Sequence, residues 1–410
     1  MTARIVVAGA GHAAGQLVAS LRQKKFSGEI VLIGEESWLP YQRPPLSKKF
    51  LAGEMPAERL YVKPPSFYED PAVTVMLGTR IECIRRDRHV LELSNGNSLG
   101  YDKLVLAVGA RARRLQLPGS ELPGSDLPGI HYLRTIDDVL AIRQDMQASR
   151  RLVIVGAGYI GLEVAAVAAT LGLQVTVVEM QSRVMQRVVS AEVSGFYEQV
   201  HRAHGVNFLL NTGINGFAGE RRVEGLKLAD GTNLAADMVI VGIGILPNTD
   251  LADEAGLIID DGIVVDDRCR TSDPDIYAIG DCTFHPNALL GRNVRLESVH
   301  NALEQARTAA GNLCGEALQY ADIPWFWSDQ YDLKLQIAGL SQGYDQTVLR
   351  GNPQQRAFAC VYLKEGAMIA IDAINSPKDF LQAKPLIARH AVFNPERLAD
   401  DSVELKDLAA

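Results

Sequence analysis

The feature that most constrains this chain is a short glycine pattern that occurs twice. Arg4-Ile5-Val6-Val7-Ala8 reads as a buried strand, runs into Gly9-Ala10-Gly11-His12-Ala13-Ala14-Gly15, and continues into a helix-like segment from Gln16 to Arg22. In this G-x-G-x-x-A arrangement Gly9 permits the tight turn and Gly11 lets the backbone approach a pyrophosphate. Ala13 and Ala14 let the helix pack close while its N-terminus faces the phosphates. The next strand, Ile30 to Ile33, leads to Glu35, 26 positions beyond Gly9, where a carboxylate accepts hydrogen bonds from ribose hydroxyls. The second copy is complete: Arg151 to Val155, then Gly156-Ala157-Gly158-Tyr159-Ile160-Gly161, then a helix-like run from Leu162 to Leu171. Its second strand, Val175 to Val178, ends on Glu179, 23 positions beyond Gly156. One such turn is often merely structural. Two, each with strand, helix and acid in register, point to two dinucleotides bound by one chain.

Two nucleotide sites suit electron transfer between cofactors better than oxidation of a single substrate. One is expected to hold FAD and the other a nicotinamide dinucleotide. A carboxylate at Glu179 favours a free 2′-hydroxyl and repels a 2′-phosphate, so NADH is preferred, with Arg183 leaving room for NADPH. The chain's 410 residues predict two or three domains. Lys plus Arg number 41 against 49 Asp plus Glu, a formal charge of −8, which argues against wholesale nucleic-acid binding. The most apolar run, Met238 to Leu246, is far shorter than the about 18 residues a membrane span needs. Met1-Thr2-Ala3-Arg4 runs straight into a strand without the features of a secretion signal, so a cytoplasmic address is expected. Cys83, Cys269, Cys282, Cys314 and Cys360 are scattered, with no Cys-x-x-Cys; they fit reduced thiols, and no metal site is expected.

The arrangement resembles the two-dinucleotide-binding-domain flavoprotein reductases, and specifically the bacterial NADH-dependent ferredoxin reductases of the putidaredoxin reductase type. Beyond the fingerprints, the resemblance rests on Arg43-Pro44-Pro45-Leu46-Ser47-Lys48, Tyr132-Leu133-Arg134-Thr135, Thr271 to Cys282 (TSDPDIYAIGDC), Glu297-Ser298-Val299-His300-Asn301-Ala302 and Pro324 to Gln330 (PWFWSDQ). The last is the most specific to the ferredoxin-reductase branch. The implied fold is α/β: two Rossmann-like nucleotide-binding domains plus an α+β C-terminal domain. The FAD domain is discontinuous, residues 1–112 and 247–323, with the NADH domain, 113–246, inserted, and a C-terminal interface domain covers 324–410. The turn-rich run from Pro118 to Ser125 reads as a crossing linker, and Gly242-Ile243-Gly244-Ile245-Leu246-Pro247-Asn248 ends a strand at the return crossing. From Leu333 the pattern changes to short strands, Leu335 to Leu340, Thr347 to Arg350, Ala357 to Leu363 and Met368 to Ala373, then a helix-like tail.

The resemblance also assigns residues. At FAD it implies Gly9, Gly11, His12, Ala13, Ala14, Glu35, Arg43, Lys48, Ile81, Gly109, Arg134, Gly280, Asp281, Val299, His300 and Trp327, with Asp281 on the ribityl chain and Trp327 at the electron-exit edge. At NADH it implies Gly156, Gly158, Tyr159, Ile160, Gly161, Glu163, Glu179, Gly242 and Gly244. Val108 stands where the family often has threonine. Lys48, Glu163 and Tyr159 are the catalytic candidates: Lys48 and Glu163 form an ion pair at the flavin, or are two unrelated surface charges, since an acid in a first helical turn is favoured by the dipole alone. The Tyr159 ring either covers the isoalloxazine until nicotinamide displaces it or simply packs. Asp281 has the plainer alternative of a helix N-cap. Trp325 and Trp327 share one face of a strand.

Disulfide reductases of this fold carry a flavin-adjacent Cys-x-x-x-x-Cys, and the corresponding region from Leu39 to Lys49 has no cysteine. Electrons are therefore expected to leave the flavin directly, singly, to an acidic 2Fe-2S ferredoxin that supplies a haem monooxygenase or a Rieske-type oxygenase. Arg307, Lys384, Arg389 and Lys406 are candidate contacts for that partner. The alternatives are an NADH oxidase, a rubredoxin or monodehydroascorbate reductase, or a redox-responsive interaction protein like apoptosis-inducing factor.

Overall fold

The computed structural model describes residues 3–117, 120–146 and 150–409. Met1 and Thr2, and Pro118 and Gly119 at the start of the expected crossing linker, lie outside the described residues. The chain forms two compact units. The first comprises residues 1–43, 56–111 and 246–324, the second residues 44–55, 112–245 and 325–410.

In the first unit Arg4–Ala8 is the central strand, with Glu29–Ile33 and Val73–Met76 on one side of it and Lys103–Leu106 and Ile276–Ala278 on the other, all parallel. Strands buried on both faces are expected to be continuously apolar rather than alternating, and Ile5, Val6 and Val7 are each at most 2% exposed. The helix His12–Gln23 packs against Val299–Leu313 through small side chains, Ala13 and Ala14 on one and Ala302, Ala306, Ala309 and Ala310 on the other. A three-stranded antiparallel sheet, from Ile81–Arg85 to Ser98–Gly100, completes one flank.

The second unit repeats the plan. Its parallel sheet runs Ile130–Tyr132, Met238–Val241, Arg151–Val155, Gln174–Val178, Asn207–Leu209, the same relative order about the fingerprint strand. The helix Tyr159–Thr170 follows that strand. An antiparallel sheet of five strands is built from Trp325–Gln330, Leu333–Gly339, Ala367–Ile374, Ala357–Lys364 and Gln346–Asn352, in that spatial order, and is covered by the helix Pro377–Ala388. The four strands expected after Leu333 each appear: the last three are extended by one to three residues, and the first runs Leu333–Gly339 rather than Leu335 to Leu340.

Residues 44–55, contiguous in sequence with the first unit, group with the second. The 3-10 turn Pro44–Ser47, whose two prolines pre-set the backbone, buries Leu46, and Phe50 follows it into the core.

Candidate functional site

In the first cradle, Gly9 has φ +107°, and a Cβ there would lie 2.3 Å from the carbonyl oxygen of Ala107. Only glycine lets the turn pass so close to the neighbouring strand. A Cβ on Gly11, by contrast, would meet nothing within 4 Å. Gly11 also caps its helix without a side-chain hydrogen bond, unlike Thr135, Ser190 and Ser298 at the helices they begin. The N–H groups at the start of His12–Gln23 therefore face open space, the arrangement that receives a phosphate. His12, at the first helical position, is kept neutral: burial lowers its pKa to about 4 against the opposing charge of Asp281.

Gly280 brings Asp281 to the same helix start. Its φ is +85° and its Cβ position lies 3.3 Å from that of Ala13. The turn is pinned from the opposite helix, where buried Gln305 accepts from the Gly280 N–H at 2.7 Å and from the Thr283 hydroxyl at 3.1 Å. Asp281 caps no helix; the residue after it leads into the strand Thr283–Asn287. Arg43 donates to Glu36 (2.8 Å) and to the Tyr41 hydroxyl (3.0 Å), and that hydroxyl donates to the other Glu36 oxygen at 2.5 Å. Glu35 is exposed. Gly109 has φ +63°, and Asn248 donates its backbone N–H to the Gly109 carbonyl and its side-chain amide to that of Val108, so the turn is held through the main chain where Val108 has no hydroxyl. Ile81 starts its strand half-buried against the core. Val299 and His300 open the helix capped by Ser298, and His300 sits 4.0 Å from Asp322.

The second cradle follows the same rules. Gly156 has φ +103° with its Cβ position 2.4 Å from the Gly242 carbonyl oxygen, and a Cβ on Gly161 would lie 2.2 Å from that of Gly156. Gly158 and Gly244 face open space, and Gly158 caps Tyr159–Thr170 without a side-chain bond. Ile160 is 39% exposed. Glu179 accepts from the Ala157 and Gln181 N–H groups at 2.7 and 2.8 Å, which holds the carboxyl group in place at the strand end. The Arg183 guanidinium donates to the carbonyls of Val189, Ser190 and Gln186.

Lys48 and Glu163 are not unrelated surface charges. The Lys48 ammonium lies 2.7 Å from Glu163 Oε2, and the two side chains are 16% and 4% exposed. The helix begins at Tyr159, so Glu163 lies in its second turn rather than the first, and buried partners rather than the dipole explain it. Ser47 donates to Oε2 at 2.5 Å and Ser328 to Oε1 at 2.6 Å. One helical turn earlier, the Tyr159 ring packs 4.8 Å from Phe326, so packing occurs whatever else the ring does. On the opposite face of the Trp325–Gln330 strand, Trp325 and Trp327 are 5.5 Å apart, and Lys384 lies over Trp325 at 5.0 Å. Arg134 sits in the second unit, its N–H bonded to Asp138 at the start of the helix capped by Thr135. Of the partner candidates, Arg307 pairs with Glu304 and belongs to the first unit; Lys406 pairs with Glu404, and exposed Arg389 follows the helix that carries Lys384.

No motif marks a further buried acid. Asp372, 1% exposed, accepts from the Tyr362 hydroxyl at 2.5 Å, and that hydroxyl accepts from the Ser190 N–H at 2.8 Å. Burial raises the Asp372 pKa to about 7. The folded chain thus holds this proton more tightly than the unfolded chain, and stability from this site is full below about pH 4 and lost as pH rises through 7. Asp372→Asn is expected to raise the melting temperature at pH 8 and to leave it within about 2 °C at pH 5; equal shifts at both pH values would contradict this ionisation.

Both cradles fit dinucleotide pyrophosphates by their open glycine turns and uncapped helices, and they define a flavoprotein oxidoreductase class with two dinucleotide sites. Residues 3–306 match the pyridine nucleotide-disulphide oxidoreductase family and residues 325–409 the reductase C-terminal family. The chain is 44% identical over 99% of its length to the 5,5′-dehydrodivanillate O-demethylase ferredoxin reductase subunit of Sphingobium sp., covering 98% of that protein. It is 42% identical to putidaredoxin reductase CamA of Pseudomonas putida, covering 99% of this chain and 96% of the other. A crystal structure of the covalent putidaredoxin reductase–putidaredoxin complex superposes with a TM-score of 0.94, 42% identity and coverage of 99% of this chain and 98% of the other. The chain belongs to the pyridine nucleotide-disulphide oxidoreductase family and, within it, to the ferredoxin reductases of the putidaredoxin reductase type. It uses FAD with a nicotinamide dinucleotide.

Proposed function

We propose that this chain is a cytoplasmic NADH:ferredoxin oxidoreductase that passes electrons through FAD to a 2Fe-2S ferredoxin serving an oxygenase. The observation that carries the reading is the pair of uncapped nucleotide cradles in one chain, joined to a buried Lys48–Glu163 pair and to a cysteine-free segment from Leu39 to Lys49. When bound, NADH supplies a hydride and FAD accepts two electrons and releases them singly.

In this reading residues 1–112 and 247–323 form the FAD domain, 113–246 the NADH domain and 324–410 the interface domain. Gly9, Gly11, His12, Ala13 and Ala14 receive the FAD pyrophosphate, Glu35 the ribose and Asp281 the ribityl hydroxyls; Arg43, Ile81, Gly109, Arg134, Gly280, Val299, His300 and Trp327 are assigned to FAD as well. Gly156, Gly158, Tyr159, Ile160, Gly161, Gly242 and Gly244 receive NADH. The Glu179 carboxylate faces its adenosine ribose and disfavours a 2′-phosphate. Lys48 stabilises negative charge that develops on the reduced ring. Lys384, Arg389, Lys406 and Arg307 supply positive charge toward an acidic ferredoxin.

Because Glu163 largely neutralises Lys48, the ammonium is worth less than a free cation. Lys48→Met combined with Glu163→Gln removes both charges together and spares the core an unpaired one. The double variant is expected to bleach with NADH about tenfold more slowly than wild type, roughly 1.4 kcal/mol in barrier, in anaerobic stopped-flow. A rate equal to wild type would show that the pair serves the fold alone.

A further inference from the structure

Glu163 takes its third side-chain hydrogen bond from the antiparallel C-terminal sheet, and that bond ends a longer series. Gln330 Nε2 donates to Ser328 Oγ at 3.2 Å, Gln330 Oε1 lies 2.8 Å from His201 Nε2, and His201 Nδ1 lies 3.2 Å from the Tyr331 hydroxyl. Ser328, Gln330 and His201 are all at most 1% exposed.

The directions of these bonds are set by chemistry. A carboxylate offers only lone pairs, so Ser328 donates to Glu163 and keeps an acceptor for the Gln330 amide. The Gln330 oxygen then faces His201, which must carry its proton on Nε2 and present the Nδ1 lone pair to Tyr331. Burial holds that imidazole neutral, lowering its pKa to about 4. Every donor therefore points toward Glu163, and bonds aligned in this way polarise one another.

Side-chain alternation explains how the strand delivers them. Phe326, Ser328 and Gln330 share one face of Trp325–Gln330 and meet Tyr159, Glu163 and His201 in turn. Tyr159 and Glu163 are one turn apart on the fingerprint helix, and His201 belongs to the helix Ala191–Ala203.

We propose that Ser328, Gln330 and His201 are positioning residues: a one-directional hydrogen-bond chain that fixes the Glu163 carboxylate and, through it, the ammonium of Lys48. This rests on the reading of the protein as an NADH-dependent flavin reductase. An apolar face on the same strand would pack equally well and orient nothing.

Two measurements on the full-length holoprotein test it. In ¹⁵N-histidine long-range NMR, which needs no turnover, His201 is expected as a single Nε2–H tautomer across the neutral range in wild type and as a mixture in Gln330→Met. An Nδ1–H tautomer in wild type would overturn the chain even if every variant failed to fold. In stopped-flow, Ser328→Ala is expected to slow flavin bleaching at saturating NADH by about three- to tenfold with little change in NADH KM, and Ser328→Thr, which restores the hydroxyl, to recover to within about twofold of wild type. An unchanged rate in Ser328→Ala, or no recovery in Ser328→Thr, would reduce the chain to packing. Wild-type protein that NADH does not bleach would defeat the functional reading instead, while the tautomer would still decide the chain.

Discussion

Gly158→Val is expected to raise the KM for NADH by about two orders of magnitude, close to 2.7 kcal/mol, while leaving flavin content and melting temperature at the wild-type values. A Cβ at Gly158 would meet no protein atom within 4 Å, so the backbone there accepts a side chain. The φ of Gly158 is −79°, an ordinary value for any residue. What the valine fills is the space in front of the uncapped N–H groups of Tyr159–Thr170, where a pyrophosphate must approach the backbone. Gly156→Val differs, since its side chain would run into the Gly242 carbonyl and its φ is +103°; that variant loses fold and ligand together. Steady-state kinetics with a thermal melt separates the two. An unaltered KM in Gly158→Val would mean that NADH does not lie across this helix start.

Arg350→Ala is expected to lower stability by about 3–5 kcal/mol, read as a fall in the urea midpoint. Arg350 is 3% exposed and pairs with Asp379 at 3.0 Å. The rest of its fork donates to the carbonyls of Leu398, Asp400 and Val403, which ties the last segment of the chain to the strand Gln346–Asn352. Truncation leaves the half-buried Asp379 carboxylate without its cation and three carbonyls without this donor. Arg350→Lys is expected to recover little of the loss, because one ammonium cannot span that fork. A midpoint near wild type for the alanine variant would contradict this role, and protease resistance of residues beyond Asn394 would contradict the tail attachment.

The parts of this account legible in the sequence are those whose cause is local. A glycine needed for positive φ or for a carbonyl 2.3 Å from its absent Cβ leaves a visible mark, and so the two cradles could be read from Gly9 and Gly156 onward. Alternating apolar residues likewise marked the C-terminal strands within a few positions. The Lys48–Glu163 pair was reached only through family resemblance, and its hydroxyl partners left no pattern: Ser47 and Ser328 stand 116 and 165 positions from Glu163 and are ordinary serines until the fold collects them. The partners of Arg183 were not legible either, because they are backbone carbonyls, which every residue carries. Residues 44–55 could not be assigned by position along the chain, because the burial of Leu46 and the bonds of Ser47 and Lys48 are made with residues remote in sequence.

In the proposed function electrons pass from NADH through the flavin to a 2Fe-2S ferredoxin. Sequential-mixing stopped-flow under anaerobic conditions tests it most directly: the yellow protein is mixed with NADH and then with an acidic 2Fe-2S ferredoxin, while flavin and iron–sulfur absorbance are followed. Rapid flavin bleaching is expected, then ferredoxin reduction with return of the flavin colour, slowed by added salt as a steered encounter requires. Bleaching followed by no transfer to any of several ferredoxins, with reoxidation by rubredoxin or oxygen instead, would contradict it.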